Sequence, residues 1–207
     1  MVLYAKHKVI SHFPNIAYNV VAIAASRGGL KAISTILSAL PAEFPAAITV
    51  VQHLCPNYRS YMAEILSRHT SLQVKQAEDG EVLRPATVYT AVPDKHLLIN
   101  SDGTLSLSDS PKVNFVRPAA DKLFASAAAS FKSRAIAVVL TGKDSDATLG
   151  VLAVKKYGGT VIAQDEASCE CFGMPKSAIN TGKVDWVLPL DAIANHLQNL
   201  VMAEQVV

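Results

Sequence analysis

Residues 19–40 read NVVAIAASRGGLKAISTILSAL, and this stretch decides the fold class. An apolar run from Val20 to Ala25 is too short and too uniformly hydrophobic for an amphipathic helix, and it fits a strand buried on both faces. It breaks at Ser26-Arg27-Gly28-Gly29. The next eleven residues place Leu30, Ile33, Ile36, Leu37 and Leu40 on one helical face, and Pro41 stops the helix. A buried strand, a glycine turn and an amphipathic helix in that order form the first half of a βαβ unit.

The same grammar recurs downstream. Ala47–Gln52 is a second buried strand, leading through His53 and Pro56 into a helix over YRSYMAEILSRH. Residues 119–132 predict a helix, 135–140 a third buried strand, 147–157 a helix and 160–164 a fourth strand. Short helical segments are expected near both ends of KSAINTGKVDWVLPLDAIANHLQNL. Between Gln73 and Leu107 the apolar residues alternate instead, and Asp102-Gly103 marks a hairpin turn. The expectation is an α/β fold: a doubly wound, mostly parallel sheet with helices on both faces and a small antiparallel hairpin. Residues 1–207 read as one domain with its core between 20 and 197, because no composition shift or linker divides them.

Composition narrows the function. Half the residues are hydrophobic but only 6% are aromatic, so the core rests on Ala, Val, Ile and Leu. A net charge of +2 with scattered Lys and Arg gives no footprint for nucleic acid. No apolar run approaches the roughly 20 residues of a membrane helix, so membrane insertion is not expected. Lys6, His7, Lys8 and His12 interrupt any signal-peptide core, so a cytoplasmic chain is expected. Cys55, Cys169 and Cys171 form no paired framework, and Cys169-Glu170-Cys171 lacks partners at zinc-ligand spacing.

In an open parallel sheet, chemistry collects beyond the carboxyl ends of the strands. Ser26, His53 and Asp146 each follow a buried strand there. They supply a hydroxyl, an imidazole to take its proton and a carboxylate to orient that imidazole. Gly28-Gly29 allows backbone N–H groups to approach a developing oxyanion. Each residue also has a plain structural reading: Ser26 as a helix cap, His53 as a bonded strand-end histidine, Asp146 or Asp144 as the cap of the next helix. Spacing does not choose between these readings. Ala24-Ala25-Ser26-Arg27-Gly28 does not match the G-x-S-x-G nucleophile elbow, and the glycine turn lacks G-x-G-x-x-G spacing, which counts against a nucleotide site.

The blocks VVAIAASRGGLKAI, FPAAITVVQHLCPNY, VYTAVPDKHLLI, VRPAADKLFASAA, VVLTGKDSDATLGVLAVKKYGGTVIAQDE and FGMPKSAI resemble, in order, the catalytic domain of chemotaxis protein-glutamate methylesterases (CheB) from about Val20 to Leu197. The resemblance implies hydrolysis of glutamate γ-methyl esters on a methylated chemoreceptor, with glutamine deamidation as a side activity, and no cofactor or metal. It puts the catalytic serine, histidine and aspartate on Ser26, His53 and Asp146. Arg27, Gly28, Lys143 and Met174 fall on site-lining positions, with Met174 in the Gly173-Met174-Pro175 loop. Arg27 reads equally as a solvated helix residue and Cys55 as a core thiol; His96 and Arg117 match family blocks without an assigned chemistry. The family's usual receiver domain has no room ahead of the first strand, so a stand-alone catalytic domain is expected, with a separate response regulator or adaptor as a further partner.

The chain departs from the family at one loop. Lys143-Asp144-Ser145-Asp146-Ala147-Thr148 stands where the family usually reads Met-Gly-x-Asp-Gly-Ala, so two turn glycines are replaced. Ala tolerates positive φ poorly. Asp144 adds a second carboxylate, which disfavours charge on both acids unless Lys143 compensates. The alternative reading is therefore a catalytically weakened homologue acting as a regulatory or binding module.

Overall fold

The computed structural model describes residues 19–53 and 58–203. Seven strands form one sheet: β1 (Asn19–Ala25), β2 (Ala46–Gln52), β3 (Gln73–Gln76), β4 (Thr87–Thr90), β7 (Ala135–Val139), β8 (Thr160–Gln164) and β9 (Trp186–Leu188). Their order is β3-β4-β2-β1-β7-β8-β9, and every neighbouring pair is parallel. The helices are α1 (Gly29–Ser38), α2 (Met62–Leu66), α3 (Ala120–Phe131), α4 (Thr148–Lys156), α5 (Gly173–Ile179) and α6 (Leu190–Ala203).

The central strands are apolar throughout because both faces are covered. Val21, Ile23, Ala25, Ile48, Val50 and Val138 meet Ile33, Ile36 and Leu37 of α1 and Ile193 and Leu197 of α6. Alternate residues, Val20, Ala22, Ala24, Ala47, Ala137 and Val139, face Leu123, Phe124, Ala127 and Phe131 of α3 and Val151 and Val154 of α4. The α3 side is built largely from alanine, which lets that helix and its two phenylalanines lie close to the sheet. Strand β5 (His96–Ile99) and strand β6 (Leu105–Ser108) form the antiparallel hairpin around Asp102-Gly103. It docks on α3, where Ser126 Oγ accepts the Ile99 N–H at 3.1 Å and Ser130 Oγ donates to the Ile99 carbonyl at 2.9 Å.

Three details differ from the sequence expectation. The helix expected over 58–69 occupies only Met62–Leu66, with Ser60 Oγ taking the Met62 N–H at its entry. Strands β3 and β4 extend the parallel sheet, although their alternating pattern looked like a break in it. The C-terminal segment holds an unforeseen edge strand, β9, and a helix α6 of 14 residues in place of a short one. The expectations for Cys55 and for the N-terminal residues lie outside the described residues.

Candidate active site

The strand order turns back at β1, with β2 on one side and β7 on the other, and a doubly wound sheet opens its crevice at such a switch point. Three loops meet there. Ala25 and Gln52 are paired in register, so Ser26 and His53 leave the ends of adjacent strands with their backbones roughly 5 Å apart. The His53 N–H donates to the Ala25 carbonyl at 3.2 Å, and the Ser26 N–H donates to the Thr141 carbonyl beyond β7 at 3.0 Å.

Thr141 organises the crevice. Its hydroxyl donates to the Arg27 carbonyl at 2.9 Å and accepts the Cys171 N–H at 2.9 Å, and its own N–H is held by Gln164 Oε1 at 2.9 Å. The fully buried Gln164 also donates to the Ser168 carbonyl. Close packing makes Gly142 obligatory: a Cβ there would lie 2.2 Å from Met174 Sδ and 2.9 Å from Ser26 Cβ. Met174 is wholly buried, and its N–H donates to the Gly142 carbonyl, so it forms a floor beneath Ser26.

Gly28 has φ +77°, in the left-handed region. The Gly29 N–H is already given to the Ser26 carbonyl at 2.9 Å, which leaves Gly28 as the glycine of the pair whose N–H has no acceptor among the described residues. Arg27 lies exposed at the rim, 3.5 Å from Glu170. Lys143 is exposed, and its carbonyl abuts Gly173, where any Cβ would come within 2.2 Å of it.

His53 is held between two carboxylates. Its Nε2 lies 2.9 Å from Asp146 Oδ2 and its Nδ1 lies 3.0 Å from Asp144 Oδ2. Burial alone would lower the ring's pKa, but the hydrogen bonds to Asp144 and then to Asp146 outweigh it and raise the pKa to about 9. Burial likewise acts to raise the Asp144 carboxyl, and the bond from His53 overcomes this and lowers it. The repulsion expected between the two acids is therefore relieved by the imidazolium between them rather than by Lys143.

Asp146 is anchored from behind. Oδ2 also accepts the Ala120 N–H at 2.5 Å, and Oδ1 accepts the Asp121 N–H at 3.0 Å and the Ala147 N–H at 2.9 Å. The first N–H groups of α3 thus form an anion site occupied by a side chain of the chain itself. The N–H of the preceding cap residue, Ala119, goes to His96 Nδ1 at 3.2 Å, and His96 Nε2 donates to the Pro111 carbonyl at 3.1 Å. Burial lowers the pKa of His96, which suits the neutral ring these partners require. Arg117 ties Asp94 to the carbonyls of Asp109 and Ser110. His96 and Arg117 thereby find their chemistry in scaffolding. Sequence reading missed Asp121, whose Oδ1 accepts the Gly150 N–H at 2.8 Å; burial raises its pKa. The Cys169 thiol, pushed up to about 11 chiefly by burial, is no thiolate at neutral pH.

The sequence profile of the CheB methylesterase family matches residues 21–197. The chain belongs to the CheB methylesterase family. Among its relatives is the Thermotoga maritima protein-glutamate methylesterase/protein-glutamine glutaminase, 44% identical over 91% of this chain and 56% of that protein. The Rhizobium meliloti protein of the same name from the group 3 operon is 44% identical over 86% of the chain and 50% of that protein. The Myxococcus xanthus protein-glutamate methylesterase FrzG is 41% identical over 89% and 55%. The chain thus spans about half the length of these relatives. The crystal structure of the Thermotoga maritima CheB methylesterase catalytic domain superposes with a TM-score of 0.86 at 45% identity, covering 89% of this chain and 99% of that one.

Proposed function

We propose that this chain is a cytoplasmic serine hydrolase that removes methyl esters from glutamate side chains of a methylated chemoreceptor, with residues 1–207 working as one catalytic domain. The observation that carries this reading is His53, bonded to the buried Asp146 and placed at the strand end next to Ser26, in a chain of the CheB methylesterase family.

In this reading Ser26 Oγ attacks the ester carbonyl as the His53 nitrogen not held by Asp146 takes the hydroxyl proton. The oxyanion forms against the Gly28 N–H at the start of α1, and Arg27 and Lys143 at the rim meet the substrate's charge. The imidazolium returns the proton to the departing methoxide, which leaves as methanol. Water then attacks the Ser26 acyl ester with His53 again as base, which frees the glutamate carboxylate. A glutamine amide would follow the same path and release ammonia, in keeping with the second half of the relatives' names.

The test is methanol release from a methylated chemoreceptor signalling fragment, with Ser26→Ala, His53→Gln and wild type compared. Either substitution should reduce turnover by about 10⁴-fold or more. Full turnover by Ser26→Ala would remove the proposal. A second reading, a weakened homologue serving as a regulatory module, is favoured by one observation: the second carboxylate on the His53 ring. Receptor or adaptor binding without any ester turnover would select it.

A further inference from the structure

We propose that Asp144 is a positioning residue that captures Nδ1 of His53 and holds the ring in a doubly bonded resting state, from which that nitrogen must be released to Ser26 before an ester is attacked. This rests on the hydrolase reading above and adds a control that the usual family loop, with glycine at this position, cannot provide.

The geometry dictates the ring's protonation. An ionised carboxylate only accepts, and a neutral imidazole has a single N–H to donate. With Asp146 Oδ2 at 2.9 Å from Nε2 and Asp144 Oδ2 at 3.0 Å from Nδ1, both contacts are satisfied only by the imidazolium. An imidazolium has no lone pair with which to accept the Ser26 proton. Among the described residues, the ring's polar partners are these two acids, Asp146 through a hydrogen bond and Asp144 through an ion-pair contact, and Ser26 is not one of them.

The two contacts are unequal. Asp146 is 1% exposed in its side chain and is fixed by three backbone N–H groups besides the ring. Asp144 is 40% exposed, and among the described residues its other oxygen accepts the Asp146 N–H alone, at 3.0 Å. The contact that opens is therefore the one to Asp144, and it opens without disturbing the acid that orients the ring. The other charged groups around the ring do not replace it. Lys143 precedes Asp144 on the same loop, Arg27 on the β1–α1 loop reaches Glu170, and Asp121 at the start of α3 is turned to the Gly150 N–H. The ring's pKa of about 9 follows the same sign, and at pH 7 it leaves on the order of 1% of the neutral base.

The test uses the whole chain and two readouts. The first is the His53 ring titration followed by NMR. The wild-type midpoint should lie near 9, and Asp144→Asn or Asp144→Gly should lower it by about one unit or more. The second is the pH profile of Ser26 labelling by a fluorophosphonate, which needs no knowledge of the natural substrate. The labelling limb of either variant should move down by the same interval, with about a tenfold gain at pH 7 and convergence with wild type near pH 10. A merely structural role for Asp144 would change labelling by one factor at every pH. A wild-type midpoint close to 6.5, or variants that leave midpoint and limb in place, would overturn the proposal. If Ser26→Ala is still labelled and active, it is the hydrolase reading that fails, while the NMR midpoints still report on the Asp144–His53 pair.

Discussion

Asp146→Asn is the substitution whose cost the structure specifies best. An asparagine fills the same volume, so the change tests hydrogen bonding rather than packing. Both carboxylate oxygens of Asp146 accept N–H donors: Oδ2 from Ala120 and His53, Oδ1 from Asp121 and Ala147. Whichever way the amide is turned, its NH₂ faces two donors, so two charge-assisted bonds are lost and replaced by repulsion. Hydrogen bonds to charged groups contribute about 1.5–3 kcal/mol each, and the buried imidazolium loses its better-fixed counter-ion. The expected loss is about 3–5 kcal/mol, or roughly 6–20 °C in Tm for a domain of this size. Asp144→Asn serves as the control: its side chain is 40% exposed, and a drop of about one unit in the His53 midpoint corresponds to a smaller loss, about 1–2 kcal/mol at neutral pH. Urea unfolding followed by far-UV circular dichroism measures both. An Asp146→Asn protein within about 1 kcal/mol of wild type would show that Asp146 is not the acceptor at the α3 N-terminus, and the anchoring described here would be wrong.

The pH dependence of stability has a definite sign. The folded pKa of His53, about 9, lies above the ordinary 6.5, so its contribution is complete below pH 6.5 and is lost as pH rises through 9. The shift amounts to about 3 kcal/mol at most, and the unfolding free energies from urea titrations at pH 6 and pH 10 should differ by up to that amount more in wild type than in His53→Gln; equal differences would refute the assignment. Ala147 sits at φ +87° with its methyl group fully buried. Ala147→Val, which forces a β-branched side chain into the left-handed region, should destabilise by about 2 kcal/mol or more. Ala147→Gly should stay within about 1 kcal/mol of wild type, because relief of strain is offset by the lost methyl burial and greater chain entropy; chemical denaturation of the pair checks the contrast.

The boundaries of β1, β2, β7 and β8 could be read to within a residue because strands covered on both faces carry uninterrupted apolar runs. Strand β9 carried no such signal: it is three residues at a sheet edge, with Trp186 and Val187 about half exposed. Alternation marked β3 and β4 as strands, but it does not reveal which strand a partner is or in which direction it runs. The proximity of Ser26 and His53 was legible for the same reason as β1 and β2, since residues just beyond the ends of paired parallel strands must be neighbours. The donors that hold Asp146 were not. Ala120 and Asp121 contribute backbone N–H groups, which leave no mark on residue type, and their aim depends on how α3 crosses the alanine-rich face of the sheet.

The altered loop after β7 shows which of two lost glycines mattered to the backbone. Ala147 takes up the left-handed conformation that glycine would favour, whereas Asp144 does not have positive φ. The change at 147 therefore costs strain and alters no chemistry at the crevice. The change at 144 leaves the turn intact and delivers a carboxylate to the one ring nitrogen that Asp146 leaves free. A loop that had merely drifted would have no reason to place its new charge at hydrogen-bonding distance from the base. The two substitutions thus separate a backbone cost from an electrostatic one: restoring glycine at 144 should move the pH profile, whereas restoring it at 147 should leave that profile in place and stability within about 1 kcal/mol of wild type.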